Sequence, residues 1–127
     1  MKILPVLGLA LTLCLHGAAA ALPATRLTQL DRRVAVGDVV FIQVSPLPFR
    51  KVSEATASWT NHVGIVTDVS GSEPVIAEST FPRARTTSLS RFLARSRGGR
   101  IAIERLANPL SEEQREALGR ASERRLG

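Results

Sequence analysis

The chain has 127 residues, which suits a single domain. Its 17 lysine and arginine residues against 11 aspartate and glutamate residues give a formal net charge of +6, a surplus that favours solubility and anionic partners. Cys14 is the only cysteine, which excludes a fold held together by intramolecular disulfides. The sequence has neither a Gly-rich phosphate loop nor a zinc-type set of ligands, so we expect no cofactor and no metal.

The first residues have the pattern of a secretory signal peptide. Lys2 supplies a positive charge, residues 3–15 form an apolar run, and residues 18–21 are four alanines that suit signal peptidase. An uncleaved membrane anchor is the alternative, but the run is shorter than the ~20 apolar residues that a transmembrane helix needs. A lipoprotein is disfavoured because Leu13, and not a small residue, precedes Cys14. We therefore predict a periplasmic or secreted protein.

Removal of the signal peptide, residues 1–21, would leave a mature chain with no cysteine and no transmembrane span. Residues 22–36 are predicted to lead into the domain, with a short helix around residues 27–33. Residues 37–127 are predicted to form the domain itself. In an exported protein, the basic surplus favours anionic envelope material over nucleic acid as a partner. The sequence leaves the oligomeric state open.

The domain is predicted to contain four β-strands. Each is a β-branched or alternating apolar run bounded by Gly, Pro, Ser or Asp residues, which is typical of half-buried strands. These runs cover residues 39–44, 62–69, 74–79 and 100–106. The segment Ser-Gly-Ser at residues 70–72 joins the second and third strands as a hairpin turn.

Three helices are predicted to pack on these strands, which makes the fold α+β with a small antiparallel sheet or open barrel. The first covers residues 50–58 with Val52 facing inward, and follows a loop at residues 45–48 that contains two prolines. The second is capped by Ser88 and runs to about residue 97. The third begins with the capping box at residues 111–114 and runs to about residue 125.

His62 begins an otherwise apolar strand, where a general base would meet solvent. With the three-residue turn at 70–72, Gly64 faces Glu78, and Glu78 becomes the diagonal neighbour of His62 on the same side of the sheet. The carboxylate would then orient the imidazole, as the third member of a triad does. A register slip of one residue would place Glu78 on the other face. A surface histidine and an edge-strand carboxylate are the alternatives.

Several segments together resemble the permuted papain-like amidases of the YiiX and YebB type, in the NlpC superfamily. They read GDVVF at residues 37–41, EAT at 54–56, NHVGIV at 61–66 and AE at 77–78. The resemblance covers nearly all of the mature chain and implies a papain-like fold. It assigns His62 as the base and Glu78 as the residue that orients it.

The same resemblance implies a catalytic cysteine that comes last in the sequence, at the start of a helix where the helix dipole favours a thiolate. This chain ends at Gly127, before that segment. We therefore expect a domain that is incomplete at the C-terminus, truncated before the nucleophile, and inactive as a thiol hydrolase in this form.

Two further residues are weaker candidates for contact with substrate. Gln43 ends the first predicted strand and would donate a hydrogen bond to an oxyanion, although a solvated strand end is the alternative. Trp59, with Phe49, would line a substrate groove unless it belongs to the core. A basic stretch, consisting of Arg83, Arg85, Arg91, Arg95, Arg97 and Arg100, is either a solvated face or a contact with anionic lipid or cell wall.

The function predicted from the sequence is that of an exported cysteine hydrolase domain, of the amidase or peptidase type, acting on an amide or ester of the cell envelope. Its substrate would be a cell-wall peptide or an acylated lipid, and the sequence does not choose between them. A non-catalytic envelope-binding module that keeps the groove without the nucleophile is one alternative. A truncated gene remnant is the other.

The signal-peptide assignment makes a direct prediction about the exported protein. Its mature N-terminus should be Ala21 or Leu22, because the alanine segment provides the cleavage site. Intact-mass measurement of the protein recovered from the periplasm or medium tests this. A mass that includes Met1 would contradict it.

Overall fold

The computed structural model describes residues 27–127, and the predicted signal peptide lies outside this range. The chain forms an α+β domain, as predicted, with five strands and four helices among the described residues. In chain order these are α1 (Leu27–Asp31), β1 (Val39–Ile42), α2 (Leu47–Thr56), β2 (His62–Asp68), β3 (Val75–Ser79), β4 (Ala84–Ser88), α3 (Leu89–Ala94), β5 (Ile101–Glu104) and α4 (Glu112–Glu123). None of these helices has the length and apolar character needed to cross a membrane.

The strands form one antiparallel sheet in the order β4-β3-β2-β1-β5. Alternate residues of the three central strands point to one face, where α3 covers them. The resulting core consists of Val34, Val40, Ile42, Val44, Val66, Ile76, Leu89, Phe92 and Leu93. The opposite face is partly covered by α4, which contacts β2.

The β2–β3 hairpin has the predicted register near the strand ends, where Gly64 pairs with Glu78. The predicted three-residue turn is wrong, however. A β-bulge lies between Val66 and Asp68, and Asp68 rather than Val69 makes the last pair, with Val75. Because the extra residue is accommodated near the turn, it does not change the face on which Glu78 lies.

The predicted loop at residues 45–48 is also wrong in part, since α2 begins at Leu47. Pro48 is the second residue of this helix, where a proline is tolerated because its missing N–H would have had no partner within the helix. The prediction that Val52 faces inward fails, because its side chain is 45% exposed. Helix α2 therefore contributes little to the core, and Phe49 is its main contact with it.

Strand β4 was missed in the sequence because it reads ARTTS and has no apolar alternation. It is an edge strand and pairs with β3 over its whole length. The cap at Ser88 is confirmed, since its hydroxyl accepts a hydrogen bond from the backbone N–H of Arg91. Helix α3 ends at Ala94, three residues earlier than predicted, and a short 3₁₀ turn follows.

An ion pair between Asp38 and Arg105 joins the start of β1 to the end of β5. The Asp38 side chain is buried, and Arg105 donates to both of its oxygens over 2.7 Å. Burial raises the pKa of Asp38, but hydrogen bonds from Arg105 and from the backbone N–H of Ala35, together with the charge of Arg105, outweigh it and lower the pKa. The carboxylate thus stays ionised at the point where the sheet begins.

Replacement Arg105→Gln should lower the free energy of unfolding by about 1–3 kcal/mol, because it leaves the buried carboxylate of Asp38 without its cation. Since the folded-state pKa of Asp38 is lowered, its contribution is present above the ordinary aspartate pKa and disappears as the pH falls through the lowered value. Urea unfolding should therefore show a difference in the free energy of unfolding between wild type and Arg105→Gln that is smaller at acidic pH than at neutral pH.

Arg120→Gln is the matched control for that prediction. It removes a cation from an exposed pair with Glu116 on α4, and such pairs contribute about 0–1 kcal/mol. Equal effects of the two substitutions at neutral pH would contradict the anchoring role of Arg105.

Candidate active site

His62 is the first residue of β2, and its side chain is buried on the α3 face of the sheet. Its ring lies between two phenylalanines. Phe49 from α2 contacts it edge-on at 5.2 Å between centroids, and Phe92 from α3 stacks on it at 5.6 Å. These two aromatic contacts restrict the plane of the imidazole.

The two residues just before His62 are held in place by side-chain hydrogen bonds to the end of β1 and to the residues that follow β1. The Asn61 side chain accepts from the backbone N–H of Val44 at 2.8 Å and donates to its carbonyl at 3.0 Å. The Thr60 hydroxyl donates to the carbonyl of Ile42 at 2.8 Å. These side-chain bonds extend the pairing of β1 and β2 beyond the ends of the strands. They therefore fix the backbone position from which the His62 side chain projects.

The predicted juxtaposition of His62 and Glu78 is present. Nε2 of the imidazole lies 2.6 Å from Oε2 of the carboxylate, and both side chains are almost fully buried. Gly64, which pairs with Glu78, does not open a space beside the pair. A Cβ at Gly64 would collide with Cγ2 of Ile76 and lie 2.9 Å from the ring of Phe92. The glycine instead allows the core to close beneath the pair.

Glu78 accepts hydrogen bonds from two arginines as well as from His62. Arg95, which follows the last residue of α3, donates to Oε2 at 2.6 Å, and Arg85 on β4 donates to Oε1 at 3.1 Å. Burial raises the pKa of Glu78, but the hydrogen bonds from His62, Arg95 and Arg85 and the charge of Arg95 outweigh it and hold the pKa below its ordinary value. The buried carboxylate is therefore ionised.

The ionised carboxylate determines which nitrogen of neutral His62 carries the proton. A carboxylate only accepts hydrogen bonds, so Nε2 must donate to Glu78. The lone pair of the neutral ring is then on Nδ1, which has no hydrogen-bond partner among residues 27–127. In this tautomer, Nδ1 is the nitrogen that can accept a proton.

The two weaker candidates occupy other places. Gln43 lies just beyond β1, where its backbone is tied to the turn after α3 by a bond from Arg97 to its carbonyl at 2.7 Å. Trp59 lies under the guanidinium of Arg100, 4.3 Å from its ring centroid. Their assignment to the oxyanion and the substrate groove stays a prediction. Phe49, named with Trp59 as a groove residue, contacts His62 directly.

Sequence reasoning missed the contacts of Arg85 and Arg95 with Glu78, because it grouped both with the basic stretch as a solvated face or a contact with anionic lipid or cell wall. Arg85 faces Glu78 directly across β3 and β4, but its position depends on a strand that the pattern does not reveal. Arg95 reaches Glu78 because α3 ends at Ala94. No signal in the sequence identified these donors; the burial of Glu78 in the structure is what requires them.

A cavity of about 550 Å³ lies on the other face of the sheet, between β2, β3 and α4. Because the side chains of a strand alternate between the two faces of a sheet, the cavity is lined by Val63, Ile65 and Ala77. His62 and Glu78 border the cavity as well, but the same alternation directs their side chains toward α3. The cavity and the imidazole–carboxylate pair thus lie on opposite sides of the same strands.

The open antiparallel sheet with packed helices, and a histidine–carboxylate pair on facing strand ends, define a domain of the papain-like class. In agreement, residues 33–127 match the model of a family described as permuted papain-like amidase enzymes of the YaeF/YiiX type. The chain belongs to this family of permuted papain-like amidases.

Comparison of the structure with solved structures leads to the same class. The crystal structure of the metalloprotein yiiX from Escherichia coli O157:H7 matches with a TM-score of 0.65 and 27% sequence identity. The match covers 72% of this chain and 50% of that one, so the present chain spans about half the length of that protein. No curated protein matches the sequence.

The close packing at Gly64 gives a test of the site architecture. Gly64→Ala should destabilise the protein by about 1–3 kcal/mol, because the added methyl group overpacks the space held by Ile76 and Phe92. Thermal and urea unfolding measure this. Gly71→Ala is the matched control, since the nearest atom to its Cβ would be 3.8 Å away. Equal stability of the two variants would contradict the packing described.

Proposed function

We propose that this domain supplies the base and its orienting carboxylate to a cysteine amidase. The observation that carries the proposal is the bond from Nε2 of His62 to an ionised Glu78, which leaves Nδ1 as the basic nitrogen. Membership of a family of papain-like amidases supports the reaction class. His62 is the general base and later the general acid, and Glu78 holds its tautomer and orientation.

The reaction we propose is acyl transfer through a covalent intermediate. A cysteine thiol gives its proton to Nδ1 of His62 as its sulfur attacks the carbonyl carbon of an amide or ester. The protonated imidazole then gives the proton to the leaving amine or alcohol, and a thioester remains. Water attacks that thioester with the same histidine as base, which releases the acid and restores the thiol.

The nucleophile of this reaction has to come from outside the described residues, because residues 27–127 contain no cysteine. By the order of elements in the family we place it after residue 127, at the start of a helix. Cys14 does not suit the role. It lies within the apolar run of the predicted signal peptide, where burial would raise the pKa of its thiol and suppress the thiolate.

The neighbour yiiX is described as a metalloprotein, so the fit of a metal to this site has to be considered. Within residues 27–127, no three His, Cys, Asp or Glu side chains come together as a metal would require. His62 and Glu78 are bonded to each other, and the guanidinium groups of Arg85 and Arg95 beside Glu78 would repel a cation. The donor set does not fit a metal site, and our mechanism uses none.

We further propose that the substrate belongs to the cell envelope. The predicted signal peptide would bring the protein there, and the positive net charge suits anionic cell-wall or lipid material. An acyl amide or ester of a lipid and a cell-wall peptide both offer the carbonyl that the mechanism needs.

The form with 127 residues should have no thiol-dependent hydrolase activity. Acyl transfer by this route requires a nucleophile that the base activates, and the mature chain lacks one. The measurement compares this form with one extended through the coding sequence that follows residue 127. Both are assayed on a cell-wall stem peptide and on an acyl-amide and an acyl-ester lipid, with and without iodoacetamide.

Only the extended form should turn over a substrate, and His62→Ala or replacement of its cysteine should each abolish turnover. Glu104→Gln, an exposed carboxylate on β5, is the control that should retain it. Turnover by the 127-residue form that His62→Ala abolishes would contradict the cysteine mechanism and require a serine or water nucleophile.

A non-catalytic envelope-binding module is the second candidate, and the positive net charge, which suits anionic envelope material, favours it. It predicts that no form of the protein turns over these substrates. It also predicts that the 127-residue form unfolds cooperatively and retains one of them in a pull-down with isolated envelope.

A further inference from the structure

Arg95 contacts both of the groups that fix the imidazole of His62. Its guanidinium donates to Oε2 of Glu78 at 2.6 Å, the same oxygen that accepts from His62. It also lies over the ring of Phe92 at 5.1 Å from the centroid, and Phe92 is the ring that stacks on His62. One side chain therefore holds the hydrogen-bond partner and the stacking partner of the base.

The local sequence explains this double contact. Phe92 and Arg95 are three residues apart at the end of α3, so they lie on the same side of the helix. The helix ends at Ala94, and the backbone of Arg95 caps it with bonds to the carbonyls of Leu93 and Phe92. The guanidinium is thus presented from a fixed backbone, only about one third exposed, and not from a mobile loop.

Arg85 has a different relation to the pair. It donates only to Oε1 of Glu78, at 3.1 Å, and its side chain is about half exposed. It has no part in the stack formed by Arg95, Phe92 and His62. Its removal would leave Oε2 with both of its donors, so Arg85 provides a natural comparison for Arg95.

We propose that Arg95 is a positioning residue of the amidase site, which locks His62 in one orientation by holding Glu78 and Phe92 together. The inference rests on the proposed function for its catalytic meaning. Its structural part concerns the rigidity of the bond between Nε2 of His62 and Oε2 of Glu78, which can be measured in the 127-residue chain without turnover.

The exchange of the imidazole proton with water is the direct measure of this lock. The proton on Nε2 of His62 takes part in a short, buried bond to a carboxylate, so it should give a protected, far-downfield NMR signal that disappears in Glu78→Gln. In Arg95→Gln its exchange should be faster by about tenfold or more, because Oε2 loses its second donor and Phe92 its cover. Arg95→Lys should restore part of the protection.

Backbone amide exchange in the core separates positioning from general stability. The amides of Val40 and Val66 report opening of the central strands. A merely structural role for Arg95 would accelerate these amides and the imidazole proton by the same factor. Positioning accelerates the imidazole proton more than the amides, and this ratio remains measurable if the variant is less stable.

Two matched variants complete the experiment. Arg85→Gln should affect the imidazole proton less than Arg95→Gln does, and Arg91→Gln, on the exposed side of α3, should leave it unchanged. The proposal would be overturned if the imidazole proton of Arg95→Gln exchanged at the wild-type rate. It would also be overturned if the core amides were accelerated by the same factor as that proton. If Arg95→Gln accelerates exchange of the imidazole proton as expected but no extended form is active, the proposed function is rejected and the positioning role of Arg95 stands.

Discussion

The buried carboxylate of Glu78 is the interaction on which the site depends. A charged group without partners is strongly unfavourable in a protein interior, so its burial requires donors on all accessible sides. His62 comes from β2, Arg85 from β4 and Arg95 from the end of α3. The Glu78 side chain therefore joins three strands and a helix, and the geometry of the candidate site follows from satisfying its charge.

The pairing of His62 with Glu78 could be predicted because it is a local property of one hairpin. Strand alternation and the position of the turn set which residues share a face, and both can be counted along the sequence. The turn itself was misjudged. The bulge between Val66 and Asp68 compensates for the longer connection, so the pairing of Gly64 with Glu78 is the one expected from a shorter turn.

The rest of the site could not be predicted because it depends on tertiary contacts between polar residues. Strand β4 has no apolar alternation, and it forms because β3 offers an edge to pair with. Arg95 resembled its basic neighbours in sequence, and only the end of α3 distinguishes it. Patterns of hydrophobicity locate the core, whereas the partners of a buried charge are found by three-dimensional proximity.

The sheet separates two features of the domain, the cavity beneath α4 and the His62–Glu78 pair. The cavity beneath α4 is lined by apolar side chains such as Val63 and Ile65, and the side chains of His62 and Glu78, which border it, point to the other face. The α3 face offers the base, but Phe49, Phe92 and Gly64 leave little volume around it. Acid–base chemistry needs a fixed orientation and a controlled proton more than it needs volume. The fixed orientation of the His62–Glu78 pair, and not the volume of the cavity, is therefore what makes the α3 face the candidate active site.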